Sequence, residues 1–252
     1  MKQARFEFEE LPCQTLSQFG LTREMIEDLP VRSLEEISHG RHSPVLPIRI
    51  SDGNGGVIEE RSRFALVRKE NGEADVVFYP VLKKSPLEKY DSEQRKQLER
   101  GKVILTDIVS ADGRKSKAFV QIDGATGQVM SVPTQIVARN LQLLQEKGKL
   151  SGAEIRVIQQ GEPLTFVMED EPVTIGIDLN ERDCIRICQG DTRKWTEQAK
   201  REWDKYTFGC YGCWVMDDDG NLDYVPEEQY TEELWNEQKK SAQRNAGAGM
   251  HK

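Results

Sequence analysis

The sequence predicts an α+β fold of antiparallel meanders, each preceded by a short helix that closes on glycine. Three observations carry this. First, a phrase recurs as Ser33-Leu-Glu-Glu-Ile-Ser-His-Gly40, as Ser92-Glu-Gln-Arg-Lys-Gln-Leu-Glu-Arg-Gly101 and as Ser151-Gly-Ala-Glu-Ile-Arg-Val-Ile-Gln-Gln-Gly161. A serine at the start can accept a backbone N–H and cap a helix, and a glycine at the end can take the left-handed conformation that stops one. The closing glycines stand 61 and then 60 residues apart, so the phrases read as versions of one supersecondary unit. Second, Asn71-Gly72 between two apolar runs is a strong hairpin signal. Third, the turns after each phrase are too short for parallel crossovers, which makes the sheets antiparallel.

Taken in order, Phe6 and Phe8 alternate with charges over residues 5–9, as in a short edge strand or an extended lead-in. Leu11–Phe19 reads as a helix ended by Gly20, and Thr22 caps a second, Arg23–Leu29, which Pro30 ends. After Gly40 come Val45–Ile50 and the hairpin Arg61–Lys69 with Ala74–Leu82. The second phrase leads into strands Val103–Val109, Ser116–Asp123 and Gln128–Val132. Pro133 suits the first position of a helix running to about Lys147. The third phrase precedes Leu164–Met168, Val173–Leu179 and Cys184–Cys188, and Ile122-Asp123 matches Ile177-Asp178 at the end of a middle strand. Gly190-Asp191-Thr192 then caps a long helix, Arg193–Tyr206. A hairpin of Cys210–Met216 and Leu222–Val225 and a helix from about Glu228 to Arg244 follow, with a frayed tail.

This gives three segments. Residues 1–86 hold the N-terminal helices and the first helix/β-hairpin unit, and 87–150 the second helix/meander unit with its helix. Residues 151–252 hold the third unit and a C-terminal helix–hairpin–helix segment.

At 252 residues the chain can bury a sizeable core, and 37% hydrophobic with 31% charged residues is a globular composition. A charge of −8 argues against duplex DNA bound over the whole surface, though a local basic patch stays compatible. No apolar run approaches the roughly 20 residues of a membrane span, and the N-terminus lacks an apolar signal core, so the expectation is a cytoplasmic protein without membrane partners. Five cysteines without an export signal favour reduced thiols or a metal site over disulfides.

Cys184 and Cys188, followed by Cys210 and Cys213, are candidate zinc ligands, since four thiolates hold zinc tetrahedrally. Against this, a strand would set the first pair about 13 Å apart at ~3.3 Å per residue, and cysteine also serves as a small core hydrophobe. His39, His42 and His251 are the only imidazoles, and no nucleophile elbow, phosphate-binding loop or zinc-protease motif is present. The expectation is therefore a non-enzymatic protein that needs no cofactor. A basic stretch offers Lys84, Lys89, Arg95, Lys96 and Arg100 as phosphate contacts, but Glu88, Asp91, Glu93 and Glu99 interleave with them, as on any solvated helix face. Trp195, Ala199 and Trp203 share a helix face that suits a docked core helix; exposed, that face or Trp235 would mark a partner-binding surface.

Leu105-Thr-Asp-Ile, Ala118-Phe-Val-Gln-Ile-Asp-Gly-Ala-Thr-Gly127, Thr174-Ile-Gly-Ile-Asp-Leu179, Gly190-Asp-Thr-Arg-Lys-Trp195 and Lys205-Tyr-Thr-Phe-Gly-Cys-Tyr-Gly-Cys-Trp214 resemble a domain-of-unknown-function family. That family is encoded on conjugative and mobilisable elements of Bacteroidetes. The resemblance implies a bacterial, cytoplasmic setting near DNA-processing genes and transfers no functional residue. The leading expectation is an accessory protein of a mobile element that acts through protein partners. The alternative is a nucleic-acid-binding accessory with a local basic patch, zinc-stabilised if the cysteines converge.

Overall fold

The computed structural model describes residues 5–109, 113–146, 150–168, 171–181, 183–197 and 204–248. Among them are eight α-helices and four antiparallel three-stranded sheets, each a meander of consecutive strands. The helices are α1 (Cys13–Gln18), α2 (Arg23–Glu27), α3 (Val31–Ser38), α4 (Ser92–Glu99), α5 (Thr134–Glu146), α6 (Gly152–Ile158), α7 (Thr192–Glu197) and α8 (Glu232–Ala248). The first sheet holds β1 (Leu46–Ser51), β2 (Val57–Arg68) and β3 (Ala74–Pro80), and the second β4 (Ile104–Val109), β5 (Lys115–Ile122) and β6 (Val129–Pro133). The third holds β7 (Leu164–Met168), β8 (Glu171–Ile177) and β9 (Ile185–Gln189), and the fourth β10 (Tyr206–Phe208), β11 (Gly212–Met216) and β12 (Leu222–Pro226).

The α+β class and the repeated meanders stand as expected, with a fourth version that the sequence reading missed. Its sign is a shared turn. Each middle strand runs into an Asx turn, in which a side-chain oxygen accepts the backbone N–H two residues on. Asn71 accepts from Glu73, Asp123 from Ala125, Asp178 from Asn180 and Asp217 from Asp219. In three of the four the last strand then ends on proline, at Pro80, Pro133 and Pro226.

Several boundaries differ from expectation for local reasons. Residues 5–9 form no strand; a 3-10 turn spans Phe8–Glu10. Ser151 caps α6 in a capping box with Glu154, but the Asp91 carboxylate caps α4 ahead of Ser92, and Pro30 rather than Ser33 occupies the cap of α3. Pro133 ends β6, an edge strand where its missing N–H costs no ladder bond. The helix expected over Arg193–Tyr206 ends its described part at Glu197. Tyr206-Thr-Phe208, aromatic and β-branched, is instead a strand against β11. The C-terminal helix–hairpin–helix is thus a helix, a three-stranded meander and a helix. Pro226 and a 3-10 turn, Glu227–Gln229, delay the last helix to Glu232. Cys184 precedes β9 at φ +56°, outside the strand assigned to it.

The chain divides into two compact units, 1–81 with 202–252, and 82–201. The three segments drawn from the phrases group differently in space: the first and fourth meanders share one unit, the second and third the other.

In the discontinuous unit, Phe6, Leu16, Ile26, Phe64, Leu66 and Trp214 lie in one core. Phe64 stands opposite Phe78 across β2 and β3. Arg61 ties the two sheets together, donating to the Leu222 carbonyl at 2.8 Å and to Asp223 Oδ1 at 2.9 Å. In the continuous unit, β5 is buried on both faces, so its sequence Ala-Phe-Val-Gln-Ile reads as an unbroken buried strand. Phe119 belongs to the cluster of α5, α6 and β8, and Val120 to the cluster of Leu98 and Ile104. Gln121 Oε1 accepts from the Leu179 N–H at 2.7 Å and satisfies a buried donor.

Candidate functional site

The sequence-derived candidates scatter. In the basic stretch, Arg95 is held by its own chain: Nε donates to the Tyr90 carbonyl at 2.7 Å and Nη2 to the Glu88 carbonyl at 2.9 Å, which clamps the loop before α4. The Lys89 ammonium lies 5.2 Å from the Tyr90 ring centroid. Lys84, Lys96 and Arg100 are exposed. Lys96 on α4 and Arg100, its C-cap residue, fall about one turn apart, with Glu93 three residues before Lys96 on the same side, so that face mixes signs.

The cysteines divide between the units, Cys184 and Cys188 in one, Cys210 and Cys213 in the other. Among the described residues no group of three or more His, Cys, Asp or Glu is arranged to hold a metal ion. Cys184, Cys188 and Cys213 are buried, Cys13 is partly exposed and Cys210 exposed. Burial pushes the Cys213 thiol up to about 11 and also raises that of Cys184. Reaction with a thiol reagent at pH 8 should label Cys210 first and leave Cys213 and Cys184 unlabelled in the native state, because only a thiolate attacks. Peptide mass mapping reads the order, and early labelling of Cys213 would contradict its burial. His39 closes α3 with Nδ1 2.6 Å from the Glu35 carbonyl, a helix-end contact.

The tryptophans take separate roles. Trp195 is half-buried on the outer face of the third sheet, where a Cβ added to Gly176 would meet the indole Cζ2 at 2.9 Å. The guanidinium of Arg186, paired with Gly176 across β8 and β9, lies 3.9 Å from the ring centroid, and Arg186 Nη1 reaches Asp178 Oδ2 at 3.4 Å. Trp195 is therefore clasped within its own unit by a glycine and a cation. Gly176→Ala is expected to push the indole off the sheet and cost about 1–3 kcal/mol, read as a lower urea midpoint at unchanged slope. Trp203, with Ala199, lies outside the described residues. Trp214, which the sequence reading did not single out, is the largest fully buried side chain among the described residues, its indole N–H donating to the Met25 carbonyl at 3.1 Å. Trp235 is 39% exposed.

Two features of the discontinuous unit escaped sequence reasoning. One is Asp28, the C-terminal cap residue of α2, whose side chain is buried under the loop joining β10 and β11. Its Oδ1 accepts the Cys210 N–H at 2.6 Å, and its Oδ2 accepts the Tyr211 N–H at 3.0 Å and the Tyr224 hydroxyl at 2.6 Å. Burial first, and then the hydrogen bond to Asp28, raise the Tyr224 hydroxyl well above its ordinary value. Gly209 lies so close to the Asp28 carboxylate that any side chain there would collide with it. The carboxylate is satisfied by the chain itself and works as a buckle.

The other feature is a row of aromatic rings laid out by that buckled loop. Tyr206 and Phe208 stack at 6.3 Å between centroids, Phe208 meets Tyr230 edge-on at 6.1 Å, and Tyr230 meets Trp235 edge-on at 5.1 Å. Such separations are those of attractive aromatic pairs. The Tyr206 hydroxyl donates to Glu233 Oε1 at 3.0 Å and ties β10 to the first turn of α8. Leu234 of α8 is buried and Trp235 beside it is exposed, while Tyr206, Phe208 and Tyr230 are half-buried. Tyr211, in the buckled loop, adds a 48% exposed ring, and its carbonyl accepts the Glu227 N–H at 3.0 Å.

Fold and surface together define an α+β protein of four antiparallel meanders paired in two units. Residues 6–90 match the model of a family described as a protein of unknown function (DUF4099). The match takes in the N-terminal helices and first meander and stops before the phrases behind the Bacteroidetes resemblance. No curated protein matches the chain, and neither does any solved structure. No described helix is long and apolar enough to cross a membrane.

Proposed function

We propose that the chain is a non-enzymatic interaction module that binds a protein partner through the aromatic row of β10 and α8. The observation behind this reading is the half-exposed Trp235 at the end of four rings in contact, the residue types that dominate binding energy at protein interfaces. Of the two described tryptophans singled out from the sequence, Trp195 is engaged within its own unit, while Trp235 is 39% exposed. The resemblance of residues 105–214 to proteins of conjugative elements supports, beyond this, a place as an accessory of a mobile genetic element in the bacterial cytoplasm.

A photo-crosslinking amino acid placed at 211, at 235 and, for comparison, at 96 on α4 tests the reading in living cells. Adducts of one polypeptide from 211 and 235 that are absent from 96 are expected. Nuclease-sensitive adducts from 96 with none from 211 or 235 would favour the nucleic-acid alternative. For that alternative, steeply salt-dependent binding of labelled DNA between about 50 and 200 mM salt is the signature, and none is expected.

A further inference from the structure

The geometry points to a lysine- and arginine-rich segment as the partner's contact with the aromatic row, an inference that rests on the partner-binding reading and adds the partner's chemistry. Residues 206–238 contain nine carboxylates, seven aromatic rings and no lysine, arginine or histidine. Their formal charge of −9 compares with −8 for the whole chain, so the acid excess of the protein is concentrated on the segment that carries the row. Glu227, Glu228 and Glu232 are exposed around Tyr230 and Trp235, and no ion pair among the described residues engages them. The Tyr211 hydroxyl faces an acid outside this segment as well: the charge of Glu27 and the hydrogen bond between them raise it above its ordinary value.

A half-exposed tryptophan and tyrosines framed by carboxylates suit a guanidinium or ammonium group, which can lie over a ring while its charge faces an acid. The chain itself places one cation over a ring of the row, with Lys205 Nζ 5.3 Å from the Tyr206 centroid. The same charges repel phosphates and acidic peptides, so a nucleic acid is the wrong class for this surface. Complementary charge of this kind sets association rate and selectivity, and salt weakens it.

Fluorescence anisotropy on the full chain tests the inference with three labelled 15-residue peptides: one alternating Lys/Arg with Leu, one with Glu in place of every cation, and one with Gln. The basic peptide is expected to bind at micromolar strength, weakening at least about fivefold between 50 and 300 mM salt, while the acidic one does not bind. Trp235→Ala should weaken binding by about tenfold or more. The triple variant E227Q/E228Q/E232Q, whose exposed side chains make folding insensitive to the change, should remove most of the salt dependence. Binding of the basic peptide that is indifferent to both variants would overturn the inference. Equal binding of the Gln peptide, lost in Trp235→Ala, would overturn the basic class while leaving the row as a partner surface. Absence of basic-peptide binding at low salt would overturn the basic class, and if polypeptide adducts from 211 and 235 are missing as well, the partner-binding reading falls with it.

Discussion

Asp28→Ala is expected to cost about 3–5 kcal/mol, the range for removing a buried charged partner and leaving its donors behind. Three donors would be stranded at once, the N–H groups of Cys210 and Tyr211 and the Tyr224 hydroxyl. The space left above Gly209 gives them nothing to bond but water. Asp28→Asn keeps the shape and one acceptor oxygen but turns the other position into a donor facing donors, so a smaller loss, about 1–3 kcal/mol, should follow. Denaturant unfolding measures both; an Ala variant within about 0.5 kcal/mol of the parent would show that the buckle does not hold the loop. Because the loop also sets the position of Tyr211 and the start of the aromatic row, Asp28→Asn should weaken peptide binding more than its stability loss predicts.

Phe119→Ala is the second large effect. Phe119 is 1% exposed on β5, in the cluster formed with α5, α6 and β8. Removing a fully buried phenyl group from such a site costs about 3–5 kcal/mol through lost burial and the cavity left behind. A contrast isolates the cause. Gln121→Ala, two residues along the same face, removes the acceptor of the Leu179 N–H and leaves a buried donor unpaired, at about 1–3 kcal/mol without a cavity as large. Xenon or a small aromatic ligand should partly restore Phe119→Ala and leave Gln121→Ala unchanged, because only an apolar void accepts such a guest.

Much of the fold was legible because its signals are local. Thr22 accepts the Met25 N–H and starts α2, Ser151 and Glu154 form a reciprocal box around the start of α6, and Asn71-Gly72 joins β2 to β3. Gly40, Gly101 and Gly161, the ends of the three phrases, all adopt positive φ. What failed were local ambiguities settled by tertiary pairing. Tyr206-Thr-Phe208 continued a helical pattern until β11 offered it a partner. The fourth meander stayed hidden because its preceding helix lacks the serine-to-glycine phrase. The Asx turn followed by a proline at the end of the next strand would have found it, since Asp123 with Pro133 and Asp217 with Pro226 repeat that spacing within one residue.

The candidate site was less legible. Asp28 reads as an ordinary helix-end acid, and nothing near it in sequence foretells donors some 180 residues away. Trp235 was among the residues singled out, yet the rings that make it part of a surface come from β10 and from Tyr230 after a turn. The stretch from 206 to 238, rich in aromatics and free of cations, was the signal available. It passes unnoticed when charge is read chain-wide or only where cations cluster.

The discontinuous unit also sets an order of events on the ribosome. Residues 82–201 can close their own core as soon as they emerge. The first meander must wait for its companion sheet, with Phe64 and Leu66 facing a core that still lacks Trp214 and Leu222. At bacterial and eukaryotic synthesis rates of ~5–20 residues per second, that interval lasts on the order of 10–30 s. During it the Arg61 side chain has no Leu222 carbonyl to reach, and the β1 edge is open to a neighbouring nascent chain. Slow-translating messages should therefore raise the insoluble fraction of this protein, and synthesis of residues 202–252 in trans should lower it.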